Sequence, residues 1–251
     1  MTSWSQSYTS QEEAISKCSK LCPGPENCSV AGVLYFQPSD DIYGPYAFKC
    51  PIYAKWKTQV ELERKIMEAV PKKFWDKTFD NYITLSKDTK NALLICKKYS
   101  RFQAWKNGSN LILLGAYGTG KTHLAAAVIR TAILNRNNAV LVTAPSLASG
   151  TIDDIRERFR CIRDVDLIAI DDFSNEAEHK LVAKEIFELL NYRYEAEKGL
   201  IMTSNLSPAA FKESLGDRVF DRVLERTLIL QIKDVGSYRK NKRDKYLEWM
   251  K

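Results

Sequence analysis

Apolar residues in this chain gather into short continuous runs separated by stretches of helical period. Leu111-Ile-Leu-Leu114, Ala139-Val-Leu-Val142, Leu167-Ile-Ala-Ile170 and Leu200-Ile-Met202 carry no alternating polar residue. That is the pattern of strands buried on both faces. A helix-forming stretch, His123 to Arg136, follows the first run. Between the second and third runs Ile155, Phe159 and Ile162 recur at i, i+4, i+7. Their period predicts a helix with an apolar stripe to dock on the domain, and Arg156, Arg160 and Arg163, one position on, form an adjacent cationic stripe. Buried strands alternating with helices predict an α/β fold, a parallel sheet flanked by helices.

Candidate chemistry stands where these strands end. The first run leads into Gly115-Ala116-Tyr117-Gly118-Thr119-Gly120-Lys121-Thr122, followed by His123. A glycine-rich turn between strand and helix lets backbone N–H groups close on a polyphosphate, and the helix adds its positive N-terminus. Lys121 is expected to reach the β- and γ-phosphates of ATP, and Thr122 to hold Mg²⁺ through its hydroxyl. The third run ends in Asp171-Asp172. Asp171 is expected to support the Mg²⁺, and Asp172 to orient or deprotonate the attacking water, although many ATPases place Glu there. The last run ends in Thr203-Ser204-Asn205, which sets Asn205 near the γ-phosphate; an Asn closing a strand is also ordinary turn chemistry.

Composition narrows the setting. The chain has 251 residues, 45% of them hydrophobic, and Lys plus Arg of 38 against Asp plus Glu of 31 give a formal charge of +7. That is enough for one large α/β domain with a small appendage, and the basic balance favours contact with polyanions, though a merely basic soluble protein fits it too. No apolar run nears the ~20 residues of a membrane helix, and the first residues are too polar for a secretory signal, so a cytoplasmic location without membrane attachment is expected. Four of the six cysteines, Cys18, Cys22, Cys28 and Cys50, precede Pro71. In a reducing compartment such a cluster reads as a Zn²⁺ site before a disulfide set, with unrelated buried cysteines or a redox switch as the alternatives. The expected division is residues 1–65, a cysteine-rich module, and 66–251, the nucleotide-binding domain.

Order and spacing then become specific. Val70-Pro-Lys-Lys-Phe74, Thr78-Phe-Asp-Asn-Tyr82, the cradle, the Asp-Asp strand, Asn191-Tyr-Arg-Tyr194, Thr203-Ser-Asn-Leu206 and Leu215-Gly-Asp-Arg218-Val-Phe-Asp-Arg222 resemble the bacterial helicase-loader ATPases DnaC and DnaI. These are AAA+ proteins of the initiator group, with the transposition ATPase IstB as a near relative. The resemblance implies an AAA+ P-loop fold plus a small N-terminal zinc-binding module, a replicative hexameric helicase as partner, self-association and contact with single-stranded DNA. It implies that Arg222 is an arginine finger inserted into a neighbouring subunit's site, with Arg218 in support; without the likeness the two arginines read as surface ion-pair partners of Asp217, Asp221 and Glu225. It places the single-strand contact on the Arg156 stripe, which the acids Asp153, Asp154, Glu157 and Asp164 partly offset. An IstB-like ATPase acting with a transposase on duplex DNA shares the core motifs but is not expected to carry the cysteines. A P-loop small-molecule kinase and a slowly hydrolysing nucleotide-dependent adaptor are the readings from other classes.

Overall fold

The computed structural model describes residues 8–22, 24–28, 31–40, 45–174 and 180–233, and the side chains of Leu21, Lys180 and Arg218 lie outside that description. The basic C-terminal segment with Arg239 also falls outside it. The chain divides into two compact units, Met1–Arg64 and Lys65–Lys251. Among the described residues no helix is long and apolar enough to cross a membrane.

The first unit contains helix α1 (Gln11–Leu21), an antiparallel hairpin of β1 (Val33–Phe36) and β2 (Tyr46–Lys49), and the start of helix α2 (Pro51–Ala69). Ser10 caps α1 by accepting the Glu13 N–H at 3.1 Å, which satisfies one of the orphan donors of the first turn. Its core is small: Cys18, Leu34 and Cys50, with Ile15, Phe48 and Tyr53 packed against them. So little buried surface rarely suffices to hold a segment of this size folded unaided.

The second unit is built on a five-stranded parallel sheet. Its elements are α3 (Lys87–Arg101), β3 (Asn110–Gly115), α4 (Lys121–Leu134), β4 (Ala139–Thr143), α5 (Ala144–Leu147), α6 (Ile152–Arg163), β5 (Leu167–Phe173), α7 (Lys180–Glu195), β6 (Leu200–Ser204), α8 (Pro208–Leu215), α9 (Asp217–Leu224) and β7 (Thr227–Ile232). The strand order is β4-β5-β6-β3-β7, with every pairing parallel. The four apolar runs are strands, and Leu111 to Leu114, Leu167 to Ile170 and Leu200 to Met202 are buried. Ile155, Phe159 and Ile162 are buried on α6, which starts with a capping box of Thr151 and Asp154.

The structure differs from the sequence reading in three places. Helix α4 stops at Leu134 because Arg136 adopts a left-handed φ of 65°. The strand β7 was not anticipated: Gln231 interrupts its apolar stretch, and the sheet edge leaves Leu228 and Ile229 exposed. The strand β5 continues past Ile170 to Phe173 through an irregularity that matters for the site.

One buried cation ties the lower edge of this sheet together. Arg193 on α7 donates to the carbonyl oxygens of Arg163 (3.1 Å), Val165 (2.9 Å), Asp166 (3.1 Å) and Gly199 (2.5 Å). It thereby joins the end of α6, the approach to β5 and the start of β6. Burial pushes its pKa down to about 10, so the guanidinium stays protonated at neutral pH. Replacing it leaves several buried carbonyls without donors, each worth on the order of 1 kcal/mol or more. Arg193→Leu is therefore expected to destabilise the fold by about 3 kcal/mol and lower Tm by roughly 10 °C in thermal unfolding.

Candidate nucleotide-binding site

Because β6 lies beside β3 and β5 beside β6, three strand ends meet at one edge of the sheet. Leu114 pairs with Ser204, and Ile170 with Met202. Beyond that point the β5–β6 register shifts, and Phe173 pairs with Ser204. Asp171 and Asp172 therefore stand opposite Thr203 alone, two residues against one, the arrangement of a β-bulge. Asp172 takes a left-handed φ of 55°, a conformation that costs a non-glycine residue on the order of 1 kcal/mol.

The cradle follows β3 directly. Gly120, at φ 88°, opens α4, and a Cβ there would lie 2.7 Å from the Tyr82 ring. Only glycine meets both demands. The Tyr82 hydroxyl donates to the Thr119 carbonyl at 3.3 Å, and the Thr119 hydroxyl donates to the Ala116 carbonyl at 3.0 Å. Lys121 is buried. Its ammonium donates to the carbonyls of Gly115 (2.7 Å) and Ala116 (2.9 Å) and to Asn205 Oδ1 (2.8 Å). The cradle lysine and Asn205 thus already touch.

These groups open on a cavity of about 600 Å³ lined by residues 117–123, Asp172 and Asn205 on one side and by Lys73, Phe74, Asn81, Tyr82, Ile83 and Leu85 on the other. Such a volume suits a nucleotide-sized ligand. His123 fastens the second wall to the first: its Nε2 lies 2.8 Å from the Thr78 carbonyl, so this nitrogen carries the proton, and its ring meets Tyr82 edge-on at 5.1 Å. Burial lowers the His123 pKa, against the opposing pull of the Thr78 bond.

Asp171 is buried, and burial raises its pKa, while hydrogen bonds from Thr203 and Thr122 and the nearby Lys121 charge pull it down and Asp172 adds to the rise. The Thr203 hydroxyl gives its proton to Asp171 Oδ1 at 2.6 Å and accepts the Asp172 N–H at 3.1 Å. Asp171 and Thr122 are the oxygens suited to a hard divalent cation, with Asp172 beside them on the cavity. The arrangement can hold a triphosphate and place a carboxylate against a water beside it.

Other expected residues lie elsewhere. Arg222 on α9 donates to Asn191 Oδ1 at 2.6 Å, sits 6.0 Å from the Tyr194 ring centre, and lines a separate cleft of about 210 Å³ with Asn110 and Leu200, the first residues of β3 and β6. Six residues of β3, at about 3.3 Å each, put roughly 20 Å between that cleft and the cradle of the same chain. The stripe on α6 is matched by acids: Arg156 with Glu185 (3.9 Å), Arg160 with Glu157 (2.8 Å) and Arg163 with Asp164 (3.6 Å).

In the first unit the Cys18 thiol is pushed up to about 11 by burial and by the neighbouring Cys50, Cys22 and Cys28. The Gly32 N–H donates to Cys28 Sγ at 3.4 Å. Among the described residues, however, no group of three or more His, Cys, Asp or Glu is arranged to hold a metal ion. Cys18 and Cys50 are buried in the small core of this unit.

Sequence reasoning missed the roles of Thr203, Tyr82 and the His123–Thr78 clasp. Thr203 sits two residues before Asn205 in a run read only as a strand, and no local pattern marks it as the residue opposite both acids. The contact of Tyr82 with the cradle spans 37 positions, beyond any local pattern.

A family model described as IstB-like ATP binding protein matches residues 72–246. A protein of Buchnera aphidicola (subspecies Baizongia pistaciae) named replicative helicase loader DnaC is 30% identical over 171 residues, 65% of this chain and 69% of that protein. The crystal structure of the DnaC helicase loader superposes with a TM-score of 0.58 at 22% identity, covering 64% of this chain and 99% of that one. Replication initiator DnaA bound to AMPPCP and single-stranded DNA superposes with a TM-score of 0.56 at 23% identity, covering 68% and 55%. These likenesses place the second unit in the AAA+ P-loop fold.

Two outcomes follow from the cradle and its clasp. Gly120→Ala is expected to weaken nucleotide binding at least tenfold, read by titration calorimetry, because it adds both backbone strain and a clash with Tyr82. The lowered His123 pKa means that the unfolded chain binds the proton more readily. The stability held at this site is therefore complete above the ordinary imidazole value of 6.5 and is lost as pH falls through the lower folded value. Denaturant unfolding from about pH 8 to about pH 5 should show a steeper loss in the wild type than in His123→Gln.

Proposed function

The chain belongs to the IstB-like ATP-binding protein family, and from that premise we propose that it is a Mg²⁺-dependent ATPase that loads a replicative DNA helicase onto single-stranded DNA. The observation that carries the ATPase reading is the convergence of Lys121, Asp172 and Asn205 on one cavity, with Asp171 bonded behind them through Thr203. The cargo rests on relatives named replicative helicase loader.

The residues fit MgATP. The glycine turn, the buried Lys121 ammonium and Asn205 open on one cavity of nucleotide size, and the oxygen donors Thr122 and Asp171 suit Mg²⁺. Held by Thr122 and Asp171, Mg²⁺ would neutralise charge that develops on the phosphoryl oxygens. Lys121 turns from the Gly115 and Ala116 carbonyls to the phosphates. Asp172 orients the water and takes its proton, and Asn205, released from Lys121, senses the γ-phosphate. Arg222 cannot reach its own cradle across the sheet, which supports its service as an arginine finger to a neighbour. The active form is then an oligomer.

Residues 1–65 serve as the helicase-binding module, with Cys18, Cys22, Cys28 and Cys50 as Zn²⁺ ligands. The nearness of Cys50, Cys22 and Cys28 to the Cys18 thiol and the N–H donated to Cys28 Sγ support a sulfur-rich donor set, the soft chemistry Zn²⁺ prefers. Metal binding would add the stability that the small core lacks. Since acids match the arginines of α6, single-strand contact through that face draws on little net charge. The cysteines and the relatives' names favour the loader over a target-selection ATPase working with a transposase on duplex DNA.

A mixing experiment tests the shared site. Arg222→Ala and Asp172→Asn are each expected to lose turnover by tenfold or more, and their mixture to regain part of it, since one supplies the intact cradle and the other the arginine. Turnover should rise with single-stranded DNA and with a replicative hexameric helicase, and the purified protein should contain about one zinc per chain. A mixture as inactive as its components would remove the neighbour's arginine from the mechanism; stimulation by duplex DNA without helicase binding would favour the transposition reading.

A further inference from the structure

Successive residues of a strand point to opposite faces, so a regular β5 would offer the nucleotide cavity only one of its two acids. The bulge removes that limit. Asp171 and Asp172 stand opposite Thr203 alone, and a bulge of this kind re-aims a side chain at the point where pairing is broken. Asp171 is then buried against the cradle side while Asp172, at φ 55°, lines the cavity.

Thr203 is fully buried, and its hydroxyl uses its single proton on Asp171 Oδ1 (2.6 Å) and a lone pair on the Asp172 N–H (3.1 Å). The next residue repeats the device: the Ser204 hydroxyl donates to the Phe173 carbonyl at 2.5 Å. The residue after that, Asn205, holds the Lys121 ammonium.

We propose that Thr203 is a positioning residue of the ATPase site, one hydroxyl that fixes the Asp171 carboxylate toward the Mg²⁺ ligand set and holds the left-handed backbone that aims Asp172 at the attacking water. The proposal rests on the ATPase reading given above. Thr203 touches neither nucleotide nor metal; it acts through the two acids. A methyl-for-hydroxyl exchange leaves the Asp171 oxygen and the Asp172 N–H without their common partner in a buried place, while a shorter hydroxyl side chain keeps both bonds.

The test compares wild type, Thr203→Val and Thr203→Ser in binding of a fluorescent ATP analogue with EDTA and with Mg²⁺, and in steady-state turnover. With Thr203→Val, binding in EDTA should stay within about twofold of wild type. The gain in affinity on adding Mg²⁺ should shrink tenfold to a hundredfold, and kcat should fall by a similar factor, the scale typical of partners that orient metal ligands. Thr203→Ser should recover both to within about threefold. If Thr203→Val does not fold, judged by thermal unfolding, Thr203→Ala replaces it in the same comparison. Wild-type Mg²⁺ linkage and kcat in the hydroxyl-free variant would overturn the proposal, as would a Thr203→Ser protein as defective as Thr203→Val. Should the wild type bind nucleotide with Mg²⁺ linkage yet not hydrolyse it, the ATPase reading fails, and the linkage comparison still decides whether Thr203 positions Asp171.

Discussion

A buried ammonium has to be surrounded by oxygen, because an ion taken out of water loses more than packing can return. Lys121 meets that requirement with three oxygens, two from the turn that leaves β3 and one from Asn205 at the end of β6. The arrangement exists only because β6 is the direct neighbour of β3 and a glycine turn brings the chain back over the strand end. The same adjacency sets β5 beside β6, so the acids arrive one strand further on. Cradle, sensor and acids are therefore consequences of strand order, in a sheet whose short apolar runs require helices on both faces.

Much of this was legible in the residues. The four apolar runs, the cradle and the acids are local signals, and each corresponds to an element where it was expected. The amphipathic period of α6 likewise identified its buried face. What escaped was whatever depends on contacts between distant segments. Nothing near Asp171 and Asp172 says that they oppose one residue, since the bulge is a property of the pairing with β6. The residues that close the second wall, Thr78 and Tyr82, meet α4 and the cradle from across the chain. The edge strand β7 has an apolar run as short as the others, but its exposed position and Gln231 blurred the pattern. The cysteines show the opposite case: their clustering suggested four ligands, and the structure brings Cys50, Cys22 and Cys28 near Cys18 while, among the described residues, no group of three or more is arranged to hold a metal ion.

The position of Arg222 links the geometry to assembly. In one chain it faces Asn191 and Tyr194 at the edge of the sheet away from the phosphate cradle. A cation that must meet the γ-phosphate from there has to come from another subunit, which would make hydrolysis depend on the neighbour rather than on the isolated fold. Such a division suits an ATPase that works on polymers, because completion of the site then reports completion of the assembly. The first unit, with a core of only a few side chains, is the part whose stability a bound ligand would raise most.

Titration calorimetry of ATP with Mg²⁺ against wild type and Lys121→Met tests most directly whether the cradle is a triphosphate site. The expected result is saturable binding of one nucleotide per wild-type chain and an affinity at least about tenfold weaker in the variant. Equal affinity in the two proteins, or no saturable binding to the wild type, would contradict it.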